Sequence, residues 1–398
     1  MKILCVLGKY QYGDPSRGIS TEYAAFLPAL KTLGHEVVHF ESWNRRCHSD
    51  YAELNSALLR TVREYLPDVM LVVQMNYEIW TETLHRIREL GSVATICWTT
   101  DDSWKYREVS RFIGSAYHAM TTTYAEMIPE YHQDGIYNVL LTQWASNSEF
   151  LRQPLHAEDC HYPVSFVGAA HGNRKRRISE LRKHGIPVKC FGYGWPDGPV
   201  SAEKLPHIMR ESVISINFAN STKGRNQMKA RTFEVPGAGG FLLTENAPDI
   251  GRFYTTGKEI EVFHSTKELL EKISYYLAHP RERDSVARAG FERTVHEHTY
   301  EIRMKEVLNF ALNSRDIWLK HCRNPQSERS FDQVIQSHQP GFALKFLRKM
   351  LVLPCIPIWG NKRGPRAARR LVFELSWRFC KHKTFSASGW PGRMFPEQ

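Results

Sequence analysis

Short apolar runs alternate with amphipathic stretches along this chain from its N-terminus to about residue 243, and that alternation restricts the fold more than any single motif. Residues 2–8 form an apolar run ending in Gly8, followed by a polar, glycine-containing loop from Lys9 to Ser20. An amphipathic helix is expected over Thr21–Leu33, closed by Gly34, and a strand over Glu36–Phe40. Helices at 51–65 and 77–90 then flank a β-branched run, Asp68–Gln74. Val93–Trp98 is a further strand that ends at Thr99-Thr100-Asp101-Asp102, and Ala119–Thr122 and Val139–Leu141 are later ones. Parallel strands need crossover segments between them, so this order opens a doubly wound parallel sheet. Beyond a cluster of Pro154, Asp159 and Pro163 the pattern restarts with Val164–Gly168, a helix from Asn173 through Lys183, and Val188–Gly192. A helix ending near Arg210, the strand Val213–Phe218 and the strand Phe241–Leu243 follow. Ser265 and Glu268 make a capping box for a helix to Ala278, Pro280 opens one that stops at Gly290, and Tyr300–Leu312 is a last long helix.

The chain has 398 residues, long for one core, and the pattern divides it into an N-terminal α/β domain over 1–160, a second over 161–320, and a linker and tail over 321–398. Eight cysteines lie scattered without a C-x-x-C pair, which favours reduced thiols in a cytoplasmic protein over a disulfide framework or a zinc site. No apolar stretch approaches the ~18–20 residues of a membrane span. Of the formal charge of +11, the residues from Gly341 onward carry +10, so the basic balance describes the tail and leaves the body close to neutral.

The densest chemistry lies between Arg225 and Glu245. Arg225, Lys229 and Arg231 precede a single carboxylate, Glu234, and then Gly239-Gly240 and an apolar strand. Cations neutralise phosphate, a carboxylate can hold two ribose hydroxyls, and glycines admit a ligand close to the backbone. The pattern therefore points to a nucleotide-diphosphate site, against the plainer reading of a solvated basic helix face. Gly168 with Arg174 and Arg177 in the helix start that follows could reach the same diphosphate, because cations at a helix N-terminus oppose its dipole and gain from an anion. Asp101 and Asp102 follow a buried strand, where open α/β sheets bind ligands, and one of them could orient or deprotonate an acceptor hydroxyl. They could equally cap the next helix; a metal pair is discounted. His296 and His298 stand two apart rather than four, which excludes a zincin site.

Several strings resemble one family. Ser165-Phe166-Val167-Gly168, Phe191-Gly192-Tyr193-Gly194-Trp195, Arg231-Thr232-Phe233-Glu234 with Gly239-Gly240-Phe241-Leu242-Leu243, and Gly257-Lys258-Glu259-Ile260 stand in the order of the CgeB-like (spore maturation protein) group of glycosyltransferases. Tyr275-Tyr276-Leu277, Gly290, Arg293, His298-Thr299-Tyr300 and Arg303 complete the likeness, which covers 164–303 and extends only loosely to the N-terminal domain. The resemblance implies an α/β protein of the GT-B fold, two Rossmann-like domains facing a cleft, to which the composition adds a basic C-terminal helical tail. It implies a hexosyltransferase-like enzyme that takes a nucleotide-sugar donor into the C-terminal domain, needs no metal or other cofactor, and is retaining. Retaining GT-B enzymes carry two glutamates eight positions apart; Glu234 matches the second, which holds the ribose, whereas the first falls on Asn226.

The expected acceptor is a glycan or a lipid-linked molecule. A GT-B nucleotide-sugar epimerase and a non-catalytic nucleic-acid-binding or scaffold protein are the alternatives. In the tail, Lys345, Arg348, Lys349, Lys362, Arg363, Arg366, Arg369 and Arg370 are interleaved with aromatic and aliphatic residues. That composition suits a peripheral contact with an anionic membrane surface through 341–398, ahead of nucleic acid, for which no binding motif is present, or of packing onto the body.

Overall fold

The computed structural model describes residues 1–220, 226–321 and 330–396. These form two compact units, one made of Met1–Thr142 and Lys305–Gln398, the other of Gln143–Met304. Residues 305–398, which include the segment set apart in the sequence as linker and tail, thus belong with the N-terminal unit.

In the first unit six parallel strands, β1 (Lys2–Leu7), β2 (Glu36–Glu41), β3 (Val69–Val72), β4 (Ala94–Trp98), β5 (Ala119–Thr122) and β6 (Val139–Leu141), lie in the order β2-β1-β3-β4-β5-β6. Helix α1 (Thr21–Thr32) covers one face through Phe26, whose ring meets Trp98 edge-on at 4.9 Å. Helices α2 (Tyr51–Tyr65) and α3 (Thr81–Glu89) bury Leu58, Val62, Leu84 and Ile87 on the other. The helix expected from residue 77 starts only at Thr81, because the Glu78 carboxylate accepts from the backbone N–H groups of Met75 and Asn76 and holds a turn there. Three short turns of helix follow, α4 (Asp102–Lys105), α5 (Arg111–Ile113) and α6 (Ile128–Gln133).

The second unit repeats the topology with β7 (Tyr162–Val167), β8 (Val188–Phe191), β9 (Ser212–Asn217), β10 (Leu242–Glu245) and β11 (Glu261–Phe263), all parallel, in the order β11-β10-β9-β7-β8. Chain direction across the sheet reverses between β7 and β9, and open α/β sheets bind ligands at such a reversal, outside the carboxyl ends of the strands. Helices α7 (Arg174–Lys183) and α10 (Thr266–Ala278) pack on one face through Ile178, Leu181, Leu269 and Ile273. Helices α8 (Lys204–Arg210) and α9 (Arg231–Gly237) pack on the other through Ile208, Met209, Phe233 and Val235. The Ser265 hydroxyl caps α10 by accepting from the Glu268 N–H at 3.1 Å, as its sequence suggests.

Helix α11 (Pro280–Glu297) does not stop at Gly290. A side chain there would come within 2.2 Å of the Glu259 carbonyl oxygen, so this glycine serves close packing rather than termination. Helix α12 (Tyr300–His321) continues from this unit into the first, where α13 (Phe331–His338), α14 (Phe342–Cys380) and α15 (Trp390–Met394) complete the chain.

One side chain ties the second unit's sheet to its outer helix. Arg283 on α11 is wholly buried and donates to the carbonyls of Leu155, Ser212 and Val213 at 2.8–2.9 Å, beside Asp284. Its removal leaves three buried carbonyls unpaired, so Arg283→Ala should destabilise the protein by about 3 kcal/mol or more. A urea titration monitoring this unit checks it; an unchanged midpoint contradicts the role.

Candidate active site

In the second unit the reversal point is crossed by an arginine. Gly168 follows β7; its N–H donates to Phe191 and its carbonyl accepts from the Trp195 indole at 2.7 Å, which pins the start of the loop leading to α7. Arg174, the first residue of α7, is buried and lies over the Phe166 ring. It donates to the Ala169 carbonyl after β7 at 3.1 Å and to the Phe218 carbonyl after β9 at 3.5 Å. Its Nε is buried with no hydrogen-bond partner among the described residues. Burial and the nearby charge of Arg231 lower its pKa to about 10, against the opposing pull of Glu245.

Arg231 and Lys229 reach the same place. Both depress the pKa of His171, in the loop after Gly168, although burial of the ring comes first and Arg174 second among the causes. Arg231 opens α9 with its Nε also buried and unpartnered among the described residues, and the hydroxyl of Thr232 beside it is in the same condition. Glu234, one turn further on, is partly exposed and carries a carboxyl pKa raised by burial and lowered by Arg231. The buried side-chain oxygen of Asn220, just past β9, is a further acceptor with no partner among the described residues. Cations gathered at His171, with Arg231 lowering the pKa of Arg174, and several polar atoms without partners among the described residues are the electrostatics of an anion site.

Other expected site residues are committed elsewhere. Arg177 pairs with Glu245 at 2.8 Å and lies over the Phe218 ring, and the second oxygen of Glu245 accepts from the Ala219 N–H. With its charge neutralised inside the fold, Arg177 stiffens the strand ends and is not a diphosphate ligand. Gly239 and Gly240 are structural too. Gly239 has a φ of +80°, and a side chain there would meet the Arg152 carbonyl oxygen at 2.4 Å; one on Gly240 would meet that of Met209 at 2.5 Å. The chain's own backbone occupies the space in which these glycines were expected to admit a ligand. Asn226, where a second acid was expected, donates to the Asn246 carbonyl at 2.7 Å and holds the loop after β9 beside β10. Arg225 lies outside the described residues.

Asp101 and Asp102 separate clearly in the first unit. Asp102 is buried, with Ser110 donating to one oxygen at 2.7 Å and Thr99 and Tyr131 to the other at 2.8 Å. Burial raises its pKa and these hydroxyls lower it. A carboxylate saturated in this way organises the end of β4 and does not accept a substrate proton. Asp101 is partly exposed, in the left-handed region at φ 54°, and its carbonyl accepts from the N–H groups of Trp104 and Lys105. Its charge acts on the buried Glu22 of α1, whose pKa is raised first by burial, is lowered by Lys105, and is raised further by Asp101. Lys105 contacts the Thr100 hydroxyl at 3.4 Å. Glu22, Asp101 and Lys105 thus share one place at the carboxyl end of β4. Glu22 and His171 escaped the sequence reading because neither stands in a charge run; their signal is position, each within a few residues of a strand-end loop.

Asp102→Ala should strand three hydroxyls and lower stability by about 1–3 kcal/mol, whereas Asp101→Asn should leave the melting temperature unchanged. Calorimetric melting of both variants checks the contrast; an unaltered Asp102→Ala protein would remove that carboxylate from its structural role.

Comparison with known proteins agrees with this architecture. Residues 174–309 match a family described as glycosyl transferase-like. Spore protein CgeB of Bacillus subtilis is 22% identical over 298 residues, covering 66% of this chain and 91% of that protein. Among solved structures, HepE of Anabaena in complex with UDP-glucose superposes with a TM-score of 0.53 at 11% identity, covering 79% of this chain and 100% of that one. Sucrose-phosphate synthase of Thermosynechococcus elongatus gives 0.51 at 10% identity over 80% and 99% of the two chains. The chain has the GT-B fold, carries a glycosyl transferase-like domain over residues 174–309, and is similar to spore protein CgeB.

Proposed function

We propose that this glycosyltransferase takes its sugar from a nucleotide-diphosphate donor held at the carboxyl ends of β7 and β9, and passes it to a glycan or lipid-linked acceptor. The observation that carries the reading is Arg174, a cation fixed by two backbone carbonyls, with Arg231 close enough to lower its pKa and no ion pair to either among the described residues. HepE, which shares the fold, has been captured with UDP-glucose, which supports a nucleotide-sugar donor here.

In this reading Arg174, Lys229 and Arg231 stabilise the charge that develops on the leaving diphosphate, in place of a metal ion. Glu234 accepts from the ribose hydroxyls. The reaction is retaining, with the departing β-phosphate oxygen taking the acceptor proton as the acceptor oxygen bonds to the anomeric carbon from the same face. Saturation of Asp102 by hydroxyl donors supports this, because the carboxylate expected as a base is committed to the fold.

Incubation with a panel of UDP- and GDP-sugars tests the proposal: slow release of free nucleotide is expected, while isomerised donor without free nucleotide would identify an epimerase, and no turnover with any donor would contradict transfer from these donors. Arg231→Ala should lower kcat by about a hundredfold or more. Glu234→Ala should weaken nucleotide binding by more than about tenfold. The raised pKa of Glu234 sets the sign of the pH dependence: the charged form holds the ribose, so affinity falls as pH drops through a value above the usual carboxylate range. Glu234→Gln should abolish that fall, and a persisting pH profile would exclude Glu234 as its source.

A further inference from the structure

Helix α14 is two helices joined at Gly360, whose φ of 77° and ψ of 168° interrupt the helical path. The first arm carries Leu344, Leu351, Val352 and Cys355 on one side, and these pack with Ala368 and Val372 of the second arm and with Met394 and Phe395. The second arm docks on the unit's core. Phe373 is buried against Tyr77 and Phe385, and Arg370 pairs with the buried Glu108 at 3.0 Å. Arg370, Phe373 and the half-buried Trp377 are therefore used in folding, although the sequence grouped them with the remainder of the tail.

The opposite side of the first arm is uncovered. Phe342, Phe346, Met350 and Leu353 recur at helical spacing and are 86%, 57%, 54% and 62% exposed. Ile358 and Trp359, 69% and 50% exposed, lie off this stripe, beside the turn. At 100° per residue no charged residue falls within this face. Lys345 and Lys349 flank it, and Lys362, Arg363 and Arg366 crowd the turn at its end, all exposed and none in an ion pair among the described residues. No helix among the described residues is long and apolar enough to cross a membrane.

We propose that this face of the first arm, with the turn beyond it, docks on an anionic lipid surface. An apolar stripe of aromatic and aliphatic side chains bordered only by cations has the form of a helix lying in the bilayer interface, its rings below the headgroups and its lysines and arginines against lipid phosphate. Charge selects this occupant. A second copy of the chain would set the same cations against each other, whereas a phospholipid layer neutralises them. Docking of this face is independent of the sugar or nucleotide the enzyme uses.

Full-length protein, sedimented with vesicles of phosphatidylcholine alone and of phosphatidylcholine with phosphatidylglycerol, provides the test. Binding is expected to the anionic vesicles, to weaken as salt is added, and to be negligible on the neutral ones. Phe346→Ser with Leu353→Ser should weaken it by about tenfold or more. Lys345, Lys349, Lys362 and Arg363 changed together to Ser should weaken it by about a hundredfold. Both sets lie on exposed positions, and circular dichroism should show them folded. Equal binding to both vesicles, binding to neither, or variants that bind as the parent does would overturn the proposal. Sedimentation velocity without lipid supplies the remaining outcomes: a dimer dissolved by the Phe346 and Leu353 changes would make a second copy the occupant, and tighter binding to single-stranded RNA than to anionic vesicles would make it nucleic acid.

Discussion

Two arginines three residues apart on one helix differ in what neutralises them, and the site follows from that difference. Arg177 faces Glu245 and its charge is spent within the fold. Arg174 is gripped by the carbonyls of Ala169 and Phe218, which orient the guanidinium without cancelling its charge. Carbonyl dipoles hold a cation in place at modest cost, while a buried carboxylate would quench it. The strand reversal between β7 and β9 supplies those two carbonyls, so the sheet order and the positive site are one feature.

The strands were legible because strands buried on both faces read as continuous β-branched runs, and the two successions of strand and helix led directly to two parallel sheets. Cation-rich segments were legible as well. What a linear pattern could not separate was a cation bound by carbonyls from one bound by a carboxylate nearly seventy residues away, since Glu245 lies on another strand. Gly239 and Gly240 misled for a related reason: a glycine that admits the chain's own backbone looks the same in sequence as one that admits a ligand. Gly290 shows this again within a helix. Asp102 resembled a catalytic base until Ser110 and Tyr131 converged on it from later in the chain.

The tail repeats the lesson at larger scale. Its basic and aromatic residues form one compositional block, yet they divide by helical face into a set that anchors the second arm on the core and a set left in solvent. The same unit therefore contains a parallel sheet with polar groups at the carboxyl end of β4 and a hairpin with an uncovered apolar stripe. If the acceptor is lipid-linked, the stripe gives this unit a means of meeting it in the membrane plane.

The central claim is that uncancelled charge at Arg174 and Arg231 binds a diphosphate. Its most direct measurement is the affinity of the full-length protein for uridine or guanosine carrying two, one or no phosphates, by isothermal titration, with and without Arg174→Ala and Arg231→Ala. The account predicts that the diphosphate binds far more tightly than the monophosphate, and that either substitution removes most of that difference while leaving the nucleoside's weak binding intact. Equal affinity for the three ligands, or a phosphate preference untouched by both substitutions, would contradict it.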